Sequence, residues 1–196
     1  MVHIRISDLE NYAKEFNIPI MLKDGIEFLI DYIKKNNIKN ILEIGSAIGY
    51  SSIRMALVST DIKVTTIERD DIMYKKAKEN ITAFNLDKQI NLIHCDAFDV
   101  ELNDKYDLIF IDAAKAQYIK FFEKFKHNLN DSGVIITDNL SFHGLVEDSS
   151  KCSRNTKQLV NKIKKYIEFL KDNKEFETQL MSIGDGISIS KKKNKI

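Results

Sequence analysis

Short, mostly apolar runs alternate along this chain with longer stretches in which apolar residues recur every three or four positions. Ile41, Leu42 and Ile44 make a short apolar run, Val64–Ile67 is another, and Ile90–Ile93, Tyr106–Ile111 and Gly133–Thr137 also read as strands. Helical spacing falls between them: Ile53, Met55, Ala56 and Leu57 after the first run, then Met73, Ala77, Ile81 and Phe84 within a helix over Asp70–Phe84. Further helices are predicted over Tyr118–Leu129 and over Asn155–Leu170, where Leu159, Ile163, Tyr166, Ile167 and Leu170 share the inward face. Two more precede the first strand. Ser7–Phe16 opens on Ser7 and Glu10, the spacing of a capping box, and carries Leu9, Tyr12, Ala13 and Phe16 as a stripe. Pro19 separates it from Leu22–Lys35, with Ile26, Leu29, Ile30 and Ile33 inward. At the far end, Phe176–Ile183 and Ile187–Ser190 flank Gly184-Asp185-Gly186 and read as a hairpin. Strand–helix alternation predicts an α/β, doubly wound, Rossmann-like fold: a mostly parallel seven-stranded sheet with a C-terminal antiparallel hairpin.

Such a sheet binds ligands beyond the carboxyl ends of its strands. After the first strand comes Gly45-Ser46-Ala47-Ile48-Gly49, a turn through which a ligand can approach backbone ahead of a helix N-terminus. The second strand ends in Glu68, 19 residues after Gly49, where a carboxylate can accept from two ribose hydroxyls. A pyrophosphate-binding turn places glycines two and five positions after the first. Here those positions are Ala47 and Tyr50, and Glu43 adds a carboxylate that would repel phosphate but suits a cationic amino group. The expected ligand therefore has a ribose, an adenine, an amine and no phosphate, which describes S-adenosylmethionine better than NAD. A turn with a purely structural role is the plainer alternative.

The other strand ends carry Asp96, Asp112, Asp138 and Asn139. Asp96 could equally cap a helix. Asp112, Asp138 and Asn139 are hard oxygen ligands without His or Cys, a set suited to an octahedral Mg²⁺ that also offsets repulsion between the acids. Lys115 follows at the start of a helix, where a cation is not electrostatically favoured. It is either a solvated lysine or a general base beside the metal.

Composition narrows the class. The 196 residues suggest one domain, with 1–36 as helices that cover the cofactor cleft, form a dimer face or simply pack on the sheet. Thirty basic and 29 acidic residues leave a net charge of +1, so bulk charge makes no case for nucleic acid. Cys95 and Cys152 form no disulfide framework, and Cys95, in an apolar segment, is expected to be a core thiol. No stretch approaches a membrane span and the N-terminus lacks a signal-peptide layout, so a soluble cytoplasmic protein with no membrane partner is expected.

The motifs together resemble the class I, Mg²⁺-dependent methyltransferases of the catechol O-methyltransferase-like group. The matching segments are E-I-G-S-A-I-G-Y-S-S from Glu43, I-E at Ile67-Glu68, I-D-A-A-K from Ile111 to Lys115, and T-D-N from Thr137. The resemblance implies Asp112, Asp138 and Asn139 as metal ligands and Lys115 as the base. It implies cofactor contacts at Gly45, Ser51, Glu68, Asp96, Ala97 and Met21, and a homodimer. The second half is most similar to bacterial tRNA 5-hydroxyuridine methyltransferases, which implies 5-methoxyuridine at the wobble position as the product and tRNA as partner. A small catechol is the alternative acceptor, and a cofactor-binding RNA module without turnover a third reading. Arg154, Lys157, Lys162, Lys164, Lys165 and the tail Lys191–Lys195 are the candidate phosphate contacts, although a Lys-rich composition also accounts for them.

Overall fold

The computed structural model describes residues 4–148 and 152–193. Seven strands form one sheet in the order β3-β2-β1-β4-β5-β7-β6. They are β1 (Asn40–Ile44), β2 (Lys63–Glu68), β3 (Ile90–His94), β4 (Tyr106–Ile111), β5 (Leu129–Thr137), β6 (Phe176–Met181) and β7 (Ile187–Lys192). The first five pair in parallel, and β7 lies antiparallel to both β5 and β6. The helices are α1 (Ile6–Glu15), α2 (Lys23–Lys35), α3 (Tyr50–Ala56), α4 (Asp71–Ala83), α5 (Tyr118–Phe125) and α6 (Arg154–Asp172). No described helix is long and apolar enough to cross a membrane.

Leu108–Ile111 of β4 is continuously apolar because both sheet faces are covered. Along β4, Leu108 and Phe110 join a core with Leu9, Ile26, Leu29 and Ile53 from α1 to α3. Their neighbours Ile109 and Ile111 join the opposite core with Phe121, Phe122 and Phe125 of α5 and Ile163 and Tyr166 of α6. The chain winds outward from β1 through β2 to β3, then returns to β4 on the other side of β1. The strand order thus reverses between β1 and β4, which opens a crevice at their carboxyl ends.

Two expectations are corrected here. The helix expected to run to Leu129 stops at Phe125, a short 3-10 turn covers Lys126–Asn128, and Leu129 already belongs to β5. The start of β5 is out of register with β4: Tyr106 pairs with Leu129 but Leu108 with Val134. That offset accommodates the polar Asn130–Gly133 stretch, with Asn130 donating to Asp107 at 2.7 Å. The Ser7–Glu10 capping box is also absent. Asp8 accepts from the backbone N–H of Arg5 at 2.8 Å, while Glu10 accepts from the Tyr50 hydroxyl at 2.9 Å and ties α1 to α3.

Candidate active site

The crevice between the ends of β1 and β4 holds a cavity of about 570 Å³, within the range of small-ligand sites. Gly45, Ser51, Glu68, Asp96, Ala97, Asp112, Lys115, Asn139 and Met21 all line it. Pro19 and Ile20 line it beside Met21, so the segment joining α1 to α2 forms part of its cover.

The floor is set by close backbone approach. Gly45 has φ +97°, and a Cβ there would lie 2.5 Å from the Asp112 carbonyl oxygen, so the ends of β1 and β4 meet only because the side chain is hydrogen. The Glu68 carboxylate accepts from the N–H of Ala47 through Oε2 and from the N–H of Asp70 through Oε1, each at 2.8 Å. These two bonds aim it across the glycine turn. Asp96 accepts from the Phe98 N–H at 2.9 Å and pairs with Arg69 at 3.2 Å, and both contacts hold its carboxyl below the usual range. It therefore caps a turn rather than the helix of the plainer expectation, while still facing the cavity.

Glu43 departs from expectation. It is fully buried and does not line the cavity; Ser51, Ser52 and Thr66 all donate to its carboxylate. Burial pushes it up to about 7 despite these bonds. It supports the turn from beneath and reaches the cavity only through Ser51. Cys95 departs too, half-buried at the cavity wall rather than in the core.

At the other end, Asp112 faces the cavity and Asp138 lies behind it, 1% exposed. Burial raises Asp112 to about 6 and Asp138 to about 7, with Asp112 adding to the rise at Asp138. The Asn139 amide donates to both, to Asp112 at 3.1 Å and to Asp138 at 2.9 Å. No group of three or more His, Cys, Asp or Glu side chains suited to a metal occurs among the described residues. The set here is instead two acids and an amide. It fits a divalent cation on its chemistry: the half-buried Asp112 and buried Asp138 carboxylates repel, Asp138 Oδ1 is buried without a hydrogen-bond partner among the described residues, and turning the Asn139 amide over presents a third oxygen. Lys115 opens a 3-10 turn (Lys115–Gln117) beside them, its Nζ 5.6 Å from the centre of the Phe142 ring.

Several residues at the site went unread in the sequence. Tyr118, buried, donates to the Asp138 carbonyl at 3.0 Å and fixes the end of β5. Arg69 and Phe98 form the cavity rim, Phe98 stacked on Phe121 with ring centres 4.8 Å apart. Their position next to strand ends was the available signal, since ligand walls in this fold come from those loops.

This geometry can be set beside known proteins. A family model described as O-methyltransferase matches residues 3–193. An Arabidopsis thaliana protein described as a candidate caffeoyl-CoA O-methyltransferase is 30% identical, covering 96% of this chain and 84% of its own length. A Staphylococcus aureus crystal structure, also described as a candidate caffeoyl-CoA O-methyltransferase, is 42% identical with a TM-score of 0.92, over 97% of this chain and 93% of that one. A Bacillus cereus O-methyltransferase solved with SAH is 25% identical with a TM-score of 0.82, over 96% of this chain and 90% of that one. The fold, the strand-end cavity and a match over nearly the whole chain lead to one statement: the chain belongs to the O-methyltransferase family.

Proposed function

We propose that this S-adenosylmethionine-dependent O-methyltransferase is metal-dependent and methylates 5-hydroxyuridine in tRNA. The observation that carries metal dependence is that Asp112, Asn139 and Lys115 line the cavity that Glu68 and the glycine turn also serve, with Asp138 directly behind and bonded to Asn139. In this reading Glu68 accepts from the ribose diol, and the backbone at Gly45 with Ser51 receives the amino-acid end. Asp112, Asp138 and Asn139 would hold a Mg²⁺, which when bound would lower the pKa of an acceptor hydroxyl. Lys115 Nζ takes the hydroxyl proton as the oxygen attacks the sulfonium methyl carbon, and S-adenosylhomocysteine leaves.

The preference for tRNA is supported by α6. Arg154, Lys157, Lys162, Lys164 and Lys165 are all exposed, and no acidic residue interrupts the helix from Arg154 to Lys165. They share roughly half of its circumference at about 100° per residue. The tail lysines give no such support. Strand β7 runs away from the site, so Lys192 sits at the opposite edge, bonded to the Leu129 carbonyl at 2.9 Å and Asp131 at 3.3 Å. Lys195 lies outside the described residues. A second reading, a catechol-bearing small molecule, is supported by the caffeoyl-CoA names of the relatives. A homodimer also belongs to the proposal, supported by exposed Phe16 and Leu22 and tested by the sedimentation mass of the purified chain.

The test offers purified protein, S-adenosylmethionine and Mg²⁺ three acceptors: a 5-hydroxyuridine anticodon stem-loop, caffeoyl-CoA and free catechol. Mass spectrometry is expected to find 5-methoxyuridine, lost in chelator and restored by Mg²⁺. Methylation of the catechols alone overturns the tRNA assignment. Full turnover in chelator, with metal verified absent, overturns the metal assignment.

A further inference from the structure

Asp185 sits in the turn between β6 and β7, only 4% exposed, between Gly184 and Gly186. A hairpin turn alone gives no reason to bury a carboxylate. What its atoms hold is the segment that follows Asn139. The Asp185 carbonyl accepts from the Ser141 N–H at 2.7 Å, and its Oδ1 accepts from the His143 N–H at 2.5 Å. Its Oδ2, buried without a hydrogen-bond partner among the described residues, lies 3.6 Å from His143 Nδ1. Gly186 completes the clamp: its carbonyl accepts from the Leu140 N–H at 2.9 Å, and a Cβ on it would come within 2.7 Å of the Ser141 nitrogen.

The clamped segment is strained. Phe142 at φ +49° and His143 at φ +57° follow one another in the left-handed region, ahead of Gly144 at +80°. Bulky side chains persist there only where the surroundings over-determine them, and such strain gathers at functional sites. The segment also adjoins the cavity without lining it. It follows Asn139, which lines the cavity, and its Phe142 ring centre lies 5.6 Å from Nζ of Lys115, which lines it too.

We propose that Asp185 is a positioning residue: its carboxylate locks the strained Ser141–Gly144 turn and so fixes Asn139 and the Phe142 ring beside Lys115, where the acceptor is to bind. The proposal rests on the reading of this cavity as the O-methylation site. Asp185 itself touches neither acceptor nor methyl donor. Its charge strengthens the bond from the His143 N–H, and Gly186 lets the β6–β7 turn approach the segment closely enough to make it.

The test compares Asp185→Ala with Asp185→Asn in the full chain, since Asn keeps an oxygen acceptor of nearly the same shape. In Asp185→Ala, amide exchange across 140–146 is expected to quicken by about tenfold or more, as for loss of a hydrogen bond to a charged group. The acceptor KM should rise by about tenfold while S-adenosylhomocysteine affinity, by calorimetry, stays within about twofold. Asp185→Asn should restore the slow exchange and most of the KM. Unchanged exchange in Asp185→Ala overturns the proposal. So does a joint fall of kcat, cofactor affinity and thermal midpoint in both variants, which marks a turn needed only for folding. Exchange is read without any acceptor. A protein that methylates none of the acceptors above overturns that assignment, and exchange alone then decides the role of Asp185.

Discussion

Glu43 carries a charge where burial penalises it. Its folded-state pKa, raised by desolvation from 4.5 to about 7, means the folded protein holds this proton more tightly than the unfolded chain does. Stability contributed through Glu43 is therefore highest below about pH 4.5 and falls as pH rises through about 7. Asp112 and Asp138, raised to about 6 and about 7, act in the same direction when no cation offsets them. Glu43→Gln keeps an acceptor for the surrounding hydroxyls, which can rotate, and removes the buried charge. In chelated buffer, the drop in thermal midpoint between about pH 5 and pH 8 should be smaller in Glu43→Gln than in wild type, the variant being the more stable at the alkaline end. Equal slopes in calorimetric scans would show that Glu43 titrates near its ordinary value. The sequence did hold a signal for this role. Ile41 and Glu43 share one face of β1, the face that α3 covers, so alternation alone places the carboxylate under Ser51 and Ser52. Reading it by its nearness to the turn overlooked that period. Glu68 and Asp112 were legible because one ends β2 and the other follows β4, the two strands that flank β1, and ligands in this fold meet the carboxyl ends of the strands.

At the scale of elements, the Gly45 junction links cofactor binding to the acid pair. Gly45 donates to the Ile67 carbonyl at 3.0 Å and Asp112 to that of Ile44 at 3.1 Å, so β2, β1 and β4 are tied together at their ends. A methyl group on Gly45 meets backbone, not a mobile side chain, and the residue's φ of +97° adds strain of its own. Gly45→Ala should therefore cost about 1–3 kcal/mol or more of stability and weaken S-adenosylmethionine binding, since Asp112 must shift. Gly144→Ala is the control: also at positive φ, it has open space around its Cβ, and it should leave cofactor affinity unchanged. Equal cofactor affinity in wild type and Gly45→Ala, by calorimetry, would remove the junction from the binding site. The strand buried on both faces was the most legible, because Leu108–Ile111 of β4 is a continuous apolar run that no amphipathic helix has. The Phe125–Leu129 boundary was not. Leu129 continues the helical spacing of Phe121, Phe122 and Phe125, and all four enter the same core, so periodicity cannot reveal that the last belongs to a strand. The clamp from Asp185 to His143 was also hidden, because it joins residues 42 positions apart and neither lies in an apolar pattern.

For the whole molecule, the question is how a nearly neutral protein would hold a polyanion. A net charge of +1 attracts nothing at long range, so any tRNA contact must come from a local concentration of cations. The sheet's topology decides which lysines qualify. Helix α6 leaves the site edge at Arg154 and runs back along the sheet to Asp172, which puts Arg154 and Lys157 nearest the cavity and Lys162 to Lys165 about 12–17 Å along the axis at 1.5 Å per residue. Lys192 and Lys193 end at the far edge and bond to carbonyls there, at Leu129 and Asn173. Phosphates neutralised by a bound protein release counterions, and each such contact steepens the fall of affinity with salt by close to one logarithmic unit per decade. Affinity for the 5-hydroxyuridine stem-loop should thus fall steeply between about 50 and 200 mM salt. Replacing Arg154, Lys157 and Lys162 with Ala should reduce the logarithmic slope by about two to three units and leave S-adenosylhomocysteine binding intact. Replacing Lys192 and Lys193 should not change that slope. Free catechol carries no phosphate, so its KM should hardly respond to salt or to either set of substitutions. A slope unchanged by the α6 substitutions but flattened by those at Lys192 and Lys193 would place the RNA on the opposite edge of the sheet, too far from Lys115 for this cavity to be where it is methylated.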